Sequence, residues 1–248
     1  SMIEAFETDY DVPINHGWGM TETSPVAAAG INPRRLAGLT PDERIKEKLK
    51  QGQVLYGVDM KIVDDDGNRL AHDGKAAGEL YVRGPWVSCG YYNDDAATAE
   101  AFDAEGWFRT GDVVAIEPDH HILITDRAKD LIKSGGEWIS SIDLENTAMG
   151  HPDVAEAAAI AMPHPKWGER PFLVVVARNG AEPTKDDILD YLRDKVASWW
   201  LPDDVVFASE IPHTATGKIS KLRLRVTYKD YVLPTVECAP WILITAIR

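Results

Sequence analysis

The change of pattern at Arg127 constrains this chain more than any other feature. Before it, short runs alternate apolar and polar residues, the period-2 signature of half-buried strands. Val58-Asp59-Met60-Lys61-Ile62-Val63 is one such run and is followed by the tight-turn pair Asp66-Gly67. Glu79-Leu80-Tyr81-Val82-Arg83 is another and stops at Gly84-Pro85. Asp112 to Ile116 and His121 to Thr125 predict a further hairpin, and the natural package for these pieces is a small antiparallel sheet or barrel. Residues 3–50 are mixed, and Pro41 to Lys50 predicts an exposed turn or short helix.

After Arg127, strands and helices take turns. Asp130 to Ser134 and Glu137 to Ile139 flank Gly135-Gly136 and predict a hairpin. Ser140-Ser141-Ile142-Asp143 predicts a cap opening a helix through about Met149. Val154 to Ala161 and Phe172 to Ala177 are apolar strand runs. Thr184-Lys185-Asp186-Asp187 caps a second helix, whose Ile188, Leu192, Val196 and Trp199 keep the 3.6 period up to Pro202. Val205 to Phe207 predicts a strand and Ser220 to Tyr231 a last helix. The fold class is therefore α+β. An antiparallel, barrel-like part covers 1–127, a small α+β domain with a short mixed sheet covers 128–234, and 235–248 is a tail.

Bulk properties exclude several functions. The formal charge of −14 argues against nonspecific binding to nucleic acid or anionic membranes, which needs basic patches. A local Lys/Arg cluster can still hold phosphates. Cys89 and Cys238 stand far apart and outside metal-ligand spacing, so neither a disulfide framework nor a zinc site is expected, and a cytoplasmic protein is. The longest apolar run, Ala239 to Ile247, is too short to span a bilayer. The histidines form no metal spacing, and His120-His121 reads as a turn. Ser1-Met2 reads as a cloning remnant, so the chain is expected to start inside a longer protein.

Several residues could carry chemistry, each with an ordinary alternative. Thr21 and Glu22 follow the Gly17-Trp18-Gly19-Met20 turn. They are either a simple helix start or a hydroxyl for phosphate and a carboxylate for Mg²⁺. Asp112 closes Gly106-Trp107-Phe108-Arg109-Thr110-Gly111-Asp112. It is either a strand-entry turn or an acceptor for two ribose hydroxyls. Lys218 follows Thr216-Gly217, as a solvated surface lysine or as a cation aimed at phosphate. The loop is not a Walker A turn, because Ile219 stands where Ser or Thr is required. Trp199-Trp200 reads as core and rim packing.

Together and in this order, the Trp18, Asp112 and Lys218 motifs and the run Asp126 to Ile139 resemble the closing half of an adenylate-forming enzyme. The likeness covers about residues 3–234 and is nearest to the fatty-acyl-CoA synthetase branch. It implies ATP, Mg²⁺ and CoA as co-substrates and cofactors, and a small-molecule carboxylic acid as substrate. A homodimer is a further expectation for the intact parent.

Residue by residue, the likeness makes Lys218 the adenylation lysine. Gly17, Trp18, Thr21, Asp112, Arg127, Lys129 and Lys133 would bind nucleotide, and Thr21 and Glu22 would hold the metal. Lys129 would be the interdomain hinge, and Ser134, Gly135, Gly136 and Trp138 would line the CoA and acyl channel. Lys129 and Trp138 favour medium- or long-chain fatty acids, with the ligase for 3-methylmercaptopropionate and a noncatalytic nucleotide- or CoA-binding module as alternatives. The family's Ser/Thr/Gly-rich phosphate loop has no counterpart before Gly17. The chain is thus expected to be a fragment of the large N-terminal domain plus the C-terminal cap, with little turnover and a tendency to self-associate. Thr235 to Arg248 does not resemble the family's usual end.

Overall fold

The computed structural model describes residues 2–215 and 217–237. Two compact units divide the chain, Ser1–Ala128 and Lys129–Arg248.

The first unit contains, in order, α1 (Met2–Tyr10), β1 (Gly17–Trp18), β2 (Ala28–Ala29), α2 (Pro41–Lys48), β3 (Gln53–Val54), β4 (Asp59–Val63), β5 (Ala77–Arg83), α3 (Asp95–Ala101), β6 (Phe108–Ile116) and β7 (Ile122–Arg127). Strands β4-β5-β6-β7 form an antiparallel meander, and β1-β2-β3 form a small antiparallel sheet. A bridge between Gln53 and His121 joins the two sheets. Alternation sets the faces. Leu80 and Val82 of β5 are fully buried with Ile62, Phe108, Val114, Ile116, Ile122 and Trp18, and this is the unit's core. Tyr81 points the other way, with Lys61 and Arg109 about its ring.

Sequence reading took 53–125 wholly as strand, whereas Asp95–Ala101 is helical. Asp94 caps it by accepting from the Ala97 amide at 2.9 Å, and the alanine-rich run that follows costs little side-chain entropy in a helix. The turn reading holds for His120, which adopts φ 65°, but not for His121, which is fully buried at the start of β7.

The second unit runs β8 (Ile132–Ser134), β9 (Glu137–Ile139), α4 (Ser141–Met149), β10 (Val154–His164), β11 (Gly168–Ala177), α5 (Lys185–Arg193), β12 (Asp204–Phe207), α6 (Lys221–Thr227) and α7 (Pro234–Glu237). The sheet is mixed. β10 and β8 are antiparallel to β11, β9 pairs β8, and β12 runs parallel to β11. It is covered on both faces. Leu173 and Val175 of β11 and Ala157 and Ala159 of β10 pack with Leu144 of α4 and Ile188 and Leu192 of α5. Phe172, Val174 and Ile160 pack on the other side with Leu224 of α6 and Leu233. Burial on both faces explains why these strands read as continuous apolar runs.

Helix ends follow local chemistry. Ser140 accepts from the Asp143 amide at 3.1 Å, and Thr184 forms a reciprocal capping box with Asp187. Two expected helices end early. α5 stops at Arg193, where the amides of Lys195 and Val196 both reach the Leu192 carbonyl and Ala197 turns extended. Beyond the helix Val196 still packs on the core, but the place expected of Trp199 is taken by Trp200, and Trp199 is 40% exposed. α6 stops at Thr227 because Tyr228 and Tyr231 turn onto Phe172, with ring centroids at 5.1 and 4.7 Å. The expected tail begins inside α7, where the Thr235 hydroxyl donates to Asp203 and Val236 packs on the core; 238–248 lie outside the described residues.

Candidate functional site

In the first unit, the structure brings Trp18 and Asp112, 94 positions apart in sequence, together with Arg127. The Trp18 indole N–H donates to Asp112 Oδ2 at 2.8 Å, and Arg127 Nε lies 2.7 Å from Oδ1. Asp112 is only 4% exposed, so burial of its charge is offset by a guanidinium and a charge-assisted hydrogen bond. Gly111 (φ 72°) and the Thr110 hydroxyl, which accepts from the Asp112 amide at 3.1 Å, set the carboxylate's direction. An ionised carboxylate is an acceptor-only group that takes several hydrogen bonds at once. Arg127 keeps 45% of its side chain exposed.

The rest of the Gly106–Asp112 motif builds the unit's wall. Trp107 is buried under Lys61, Arg69 and Arg83 at 4.9, 5.4 and 4.4 Å from its ring, and Arg109 forks onto Glu79 through two 2.8 Å bonds.

Gly17 and Trp18 form β1, and Thr21 and Glu22 lie on the 3₁₀ turn Thr21–Thr23 that follows it. That turn needs Gly19, where an added Cβ would come within 1.9 Å of the Pro25 carbonyl oxygen. The buried Thr23 hydroxyl locks it by accepting from Met20 N at 2.9 Å. Thr21 is exposed. Glu22 accepts from the Tyr91 hydroxyl at 2.9 Å, a partner that sequence reading missed. Burial and the Glu22 carboxylate both push the Tyr91 phenol up, which keeps it a donor.

In the second unit, Lys133, Ser134, Gly135, Gly136 and Trp138 share the β8–β9 hairpin. Gly135 and Gly136 have φ of 61° and 88°, a two-residue turn with both central positions left-handed. Lys133 Nζ sits 5.6 Å from the Trp138 ring. Lys129 is exposed, and its carbonyl accepts from Arg225, which also pairs with Asp130 at 2.7 Å.

Lys218 projects from a small loop closed by a bridge between His213 and Ile219. The Thr214 amide donates to the Lys218 carbonyl at 2.7 Å, Gly217 takes φ 81°, and His213 Nε2 lies 2.6 Å from Glu156 of β10. The loop base is therefore fixed while the ammonium remains exposed. Thr216 lies outside the described residues.

One cluster went unseen in the sequence. Glu117, Asp119 and His121 place ligand-type atoms within 4.8 Å of one another. They already hold a cation, since Arg35 bonds Glu117 and Asp119 together with Glu47 of α2, and Lys50 pairs with Glu47 and Glu117. Burial would raise the Asp119 carboxyl, but hydrogen bonds from Arg35 and His121 outweigh it and hold it at about 2. This is a structural ion-pair network tying α2 to the β6–β7 turn.

Comparison with known proteins identifies the family. Residues 1–92 match the AMP-binding enzyme family and residues 143–218 the AMP-binding enzyme C-terminal domain. The chain is 47% identical over 93% of its length to the 3-methylmercaptopropionyl-CoA ligase of Ruegeria lacuscaerulensis. It is likewise 47% identical over 93% of its length to the long-chain-fatty-acid–CoA ligase of Thermus thermophilus. It spans 42% of the length of each. Among solved structures, ATP-bound MatB from Rhodopseudomonas palustris superposes with a TM-score of 0.78 at 29% identity, over 92% of this chain and 43% of that one. The chain belongs to the adenylate-forming, AMP-binding enzyme superfamily, in its acyl-CoA ligase branch.

Proposed function

We propose that the complete gene product carrying this chain is an ATP-dependent acyl-CoA ligase for medium- or long-chain fatty acids. The observation that carries the reading is the buried Asp112 carboxylate, an acceptor-only group of the kind ribose hydroxyls need, held between the Trp18 indole and Arg127.

In this reading the substrate carboxylate attacks the α-phosphorus of ATP and pyrophosphate leaves. The CoA sulfur then attacks the acyl carbonyl and AMP leaves with the electrons of the broken C–O bond. Asp112 accepts from the ribose hydroxyls, with Gly17 and Trp18 beside the nucleotide. Arg127, Lys129 and Lys133 offset phosphate charge, and Lys129 is also the hinge. Lys218 brings an exposed ammonium to the charge that develops at carboxylate and α-phosphate. Ser134, Gly135, Gly136 and Trp138 line the path of the pantetheine and acyl chains.

Thr21 and Glu22 suit Mg²⁺. Both offer oxygen to a hard cation, and Glu22 Oε1 is steered by Tyr91. When bound, the metal would neutralise charge on the phosphates. The same reading implies a cytoplasmic homodimer and little turnover by the 248-residue chain alone.

The test is an acid panel with ATP and CoA on the complete gene product, following thioester, AMP and pyrophosphate together. Stoichiometric formation with fatty acids supports the reading. Selectivity for 3-methylmercaptopropionate would replace the substrate class, and absence of AMP formation with every acid would overturn the activity.

A further inference from the structure

One arginine outside all the motifs holds the β8–β9 hairpin in place. Arg170 of β11 is 12% exposed at its side chain. Its Nη1 donates to Ser134 Oγ at 3.0 Å and to the Trp199 carbonyl at 2.7 Å. Its Nη2 donates to the Leu201 carbonyl at 2.9 Å, and its Nε to Asp203 at 2.5 Å. One guanidinium thus fastens the last residue of β8 to the chain leading into β12. The rigid planar fork makes this possible, and a lysine ammonium cannot reproduce it.

Neighbours of Arg170 complete the grip. Glu169 accepts from the Lys133 amide at 2.8 Å, and the Gly135 amide donates to the Trp167 carbonyl at 2.8 Å. The Trp167 ring lies where a Cβ on Gly135 would come within 3.0 Å. The hairpin pairs with β11 at one residue, Gly168 with Ser134. With so little sheet pairing, side-chain and turn contacts must fix the loop.

We infer that Arg170 is a positioning residue for the thiol-transfer step: it fixes Ser134 and the Gly135-Gly136 turn in the one placement that lets the thiol reach the acyl-adenylate. This rests on the ligase reading above. Arg170 touches no reacting atom and acts through the hairpin, whose Ser134, Gly135 and Gly136 serve the second half-reaction.

Two measurements test it. Hydrogen exchange of the 248-residue chain compares Arg170→Met, Arg170→Lys and Ser134→Ala with the parent. The amides of 133–137 should exchange at least about tenfold faster in both Arg170 variants, while β10 and α5 keep their protection. Ser134→Ala, which removes only the link to the hairpin, should move the same amides in the same direction. Unchanged exchange at 133–137 would overturn the inference; if Arg170→Met does not fold, Ser134→Ala decides.

In the complete gene product, Arg170→Lys should slow thioester formation by about 10²-fold and ATP–pyrophosphate exchange by far less. Equal loss of both half-reactions would make Arg170 merely structural and overturn the proposal. Failure of the ligase reading is distinguishable, because then the unsubstituted protein itself shows no pyrophosphate exchange.

Discussion

At the scale of residues, the account rests on how charges are held. Trp18 and Asp112 are both buried and bonded to each other, so removing the indole N–H strips a donor from a buried carboxylate. Trp18→Phe should cost about 2 kcal/mol, the worth of a hydrogen bond to a charged group. It would appear as a lower urea midpoint with unchanged slope. Asp119 gives a pH prediction. Its folded carboxyl titrates at about 2 against an ordinary 3.8, so its contribution is complete above 3.8 and is lost as pH falls through 2. Asp204 has the same sign: burial opposes, but Lys185 and Tyr231 hold its carboxyl below the usual range. The urea midpoint should therefore fall between about pH 4 and about pH 2, and Asp119→Asn should flatten that slope. An unchanged slope in the variant would show that the Arg35 network does not couple to folding. None of these partnerships was legible in the sequence. Trp18 and Asp112 are 94 positions apart, and Arg35 and Asp119 are 84 apart. Local patterns carry no information on which distant charges meet.

At the scale of elements, local chemistry was legible and tertiary override was not. The Thr184–Asp187 capping box was readable as four residues, and it opens α5 as expected. Thr184→Ala should cost about 1 kcal/mol, measured as a lower unfolding midpoint; no change would mean that packing of Ile188 and Leu192 alone fixes the helix start. The other end of α5 was misjudged, because periodicity reports which side chains face the core and not whether the backbone between them stays helical. Val196 and Trp200 face the core from a broken helix. The Gly135-Gly136 hairpin was legible from its turn residues, whereas the clamp on it was not. Arg170 sits 36 positions from Ser134 at the polar start of β11, just before the apolar run, and only the fold shows that its fork closes on the hairpin.

At the scale of the whole molecule, an acidic chain keeps its functional cations local. Lys133 lies in the short strand β8 and Lys218 on a loop of a unit whose core is sealed on both sheet faces, and Arg127 ends a strand of the other unit. The family was readable because its motifs are contiguous runs. The chain spans 42% of its relatives' length, and under the proposed reading the 248-residue chain should show little thioester formation in the same assay. Lys218 is exposed on a loop fixed at its base, so replacing it should leave stability within about 0.5 kcal/mol while removing its charge from the reaction. The most direct test is ATP–pyrophosphate exchange by the complete gene product carrying Lys218→Ala. The account predicts a fall of about 10²- to 10³-fold with folding intact, the cost of losing one preorganised stabiliser of developing charge. Exchange at the unsubstituted rate would contradict it.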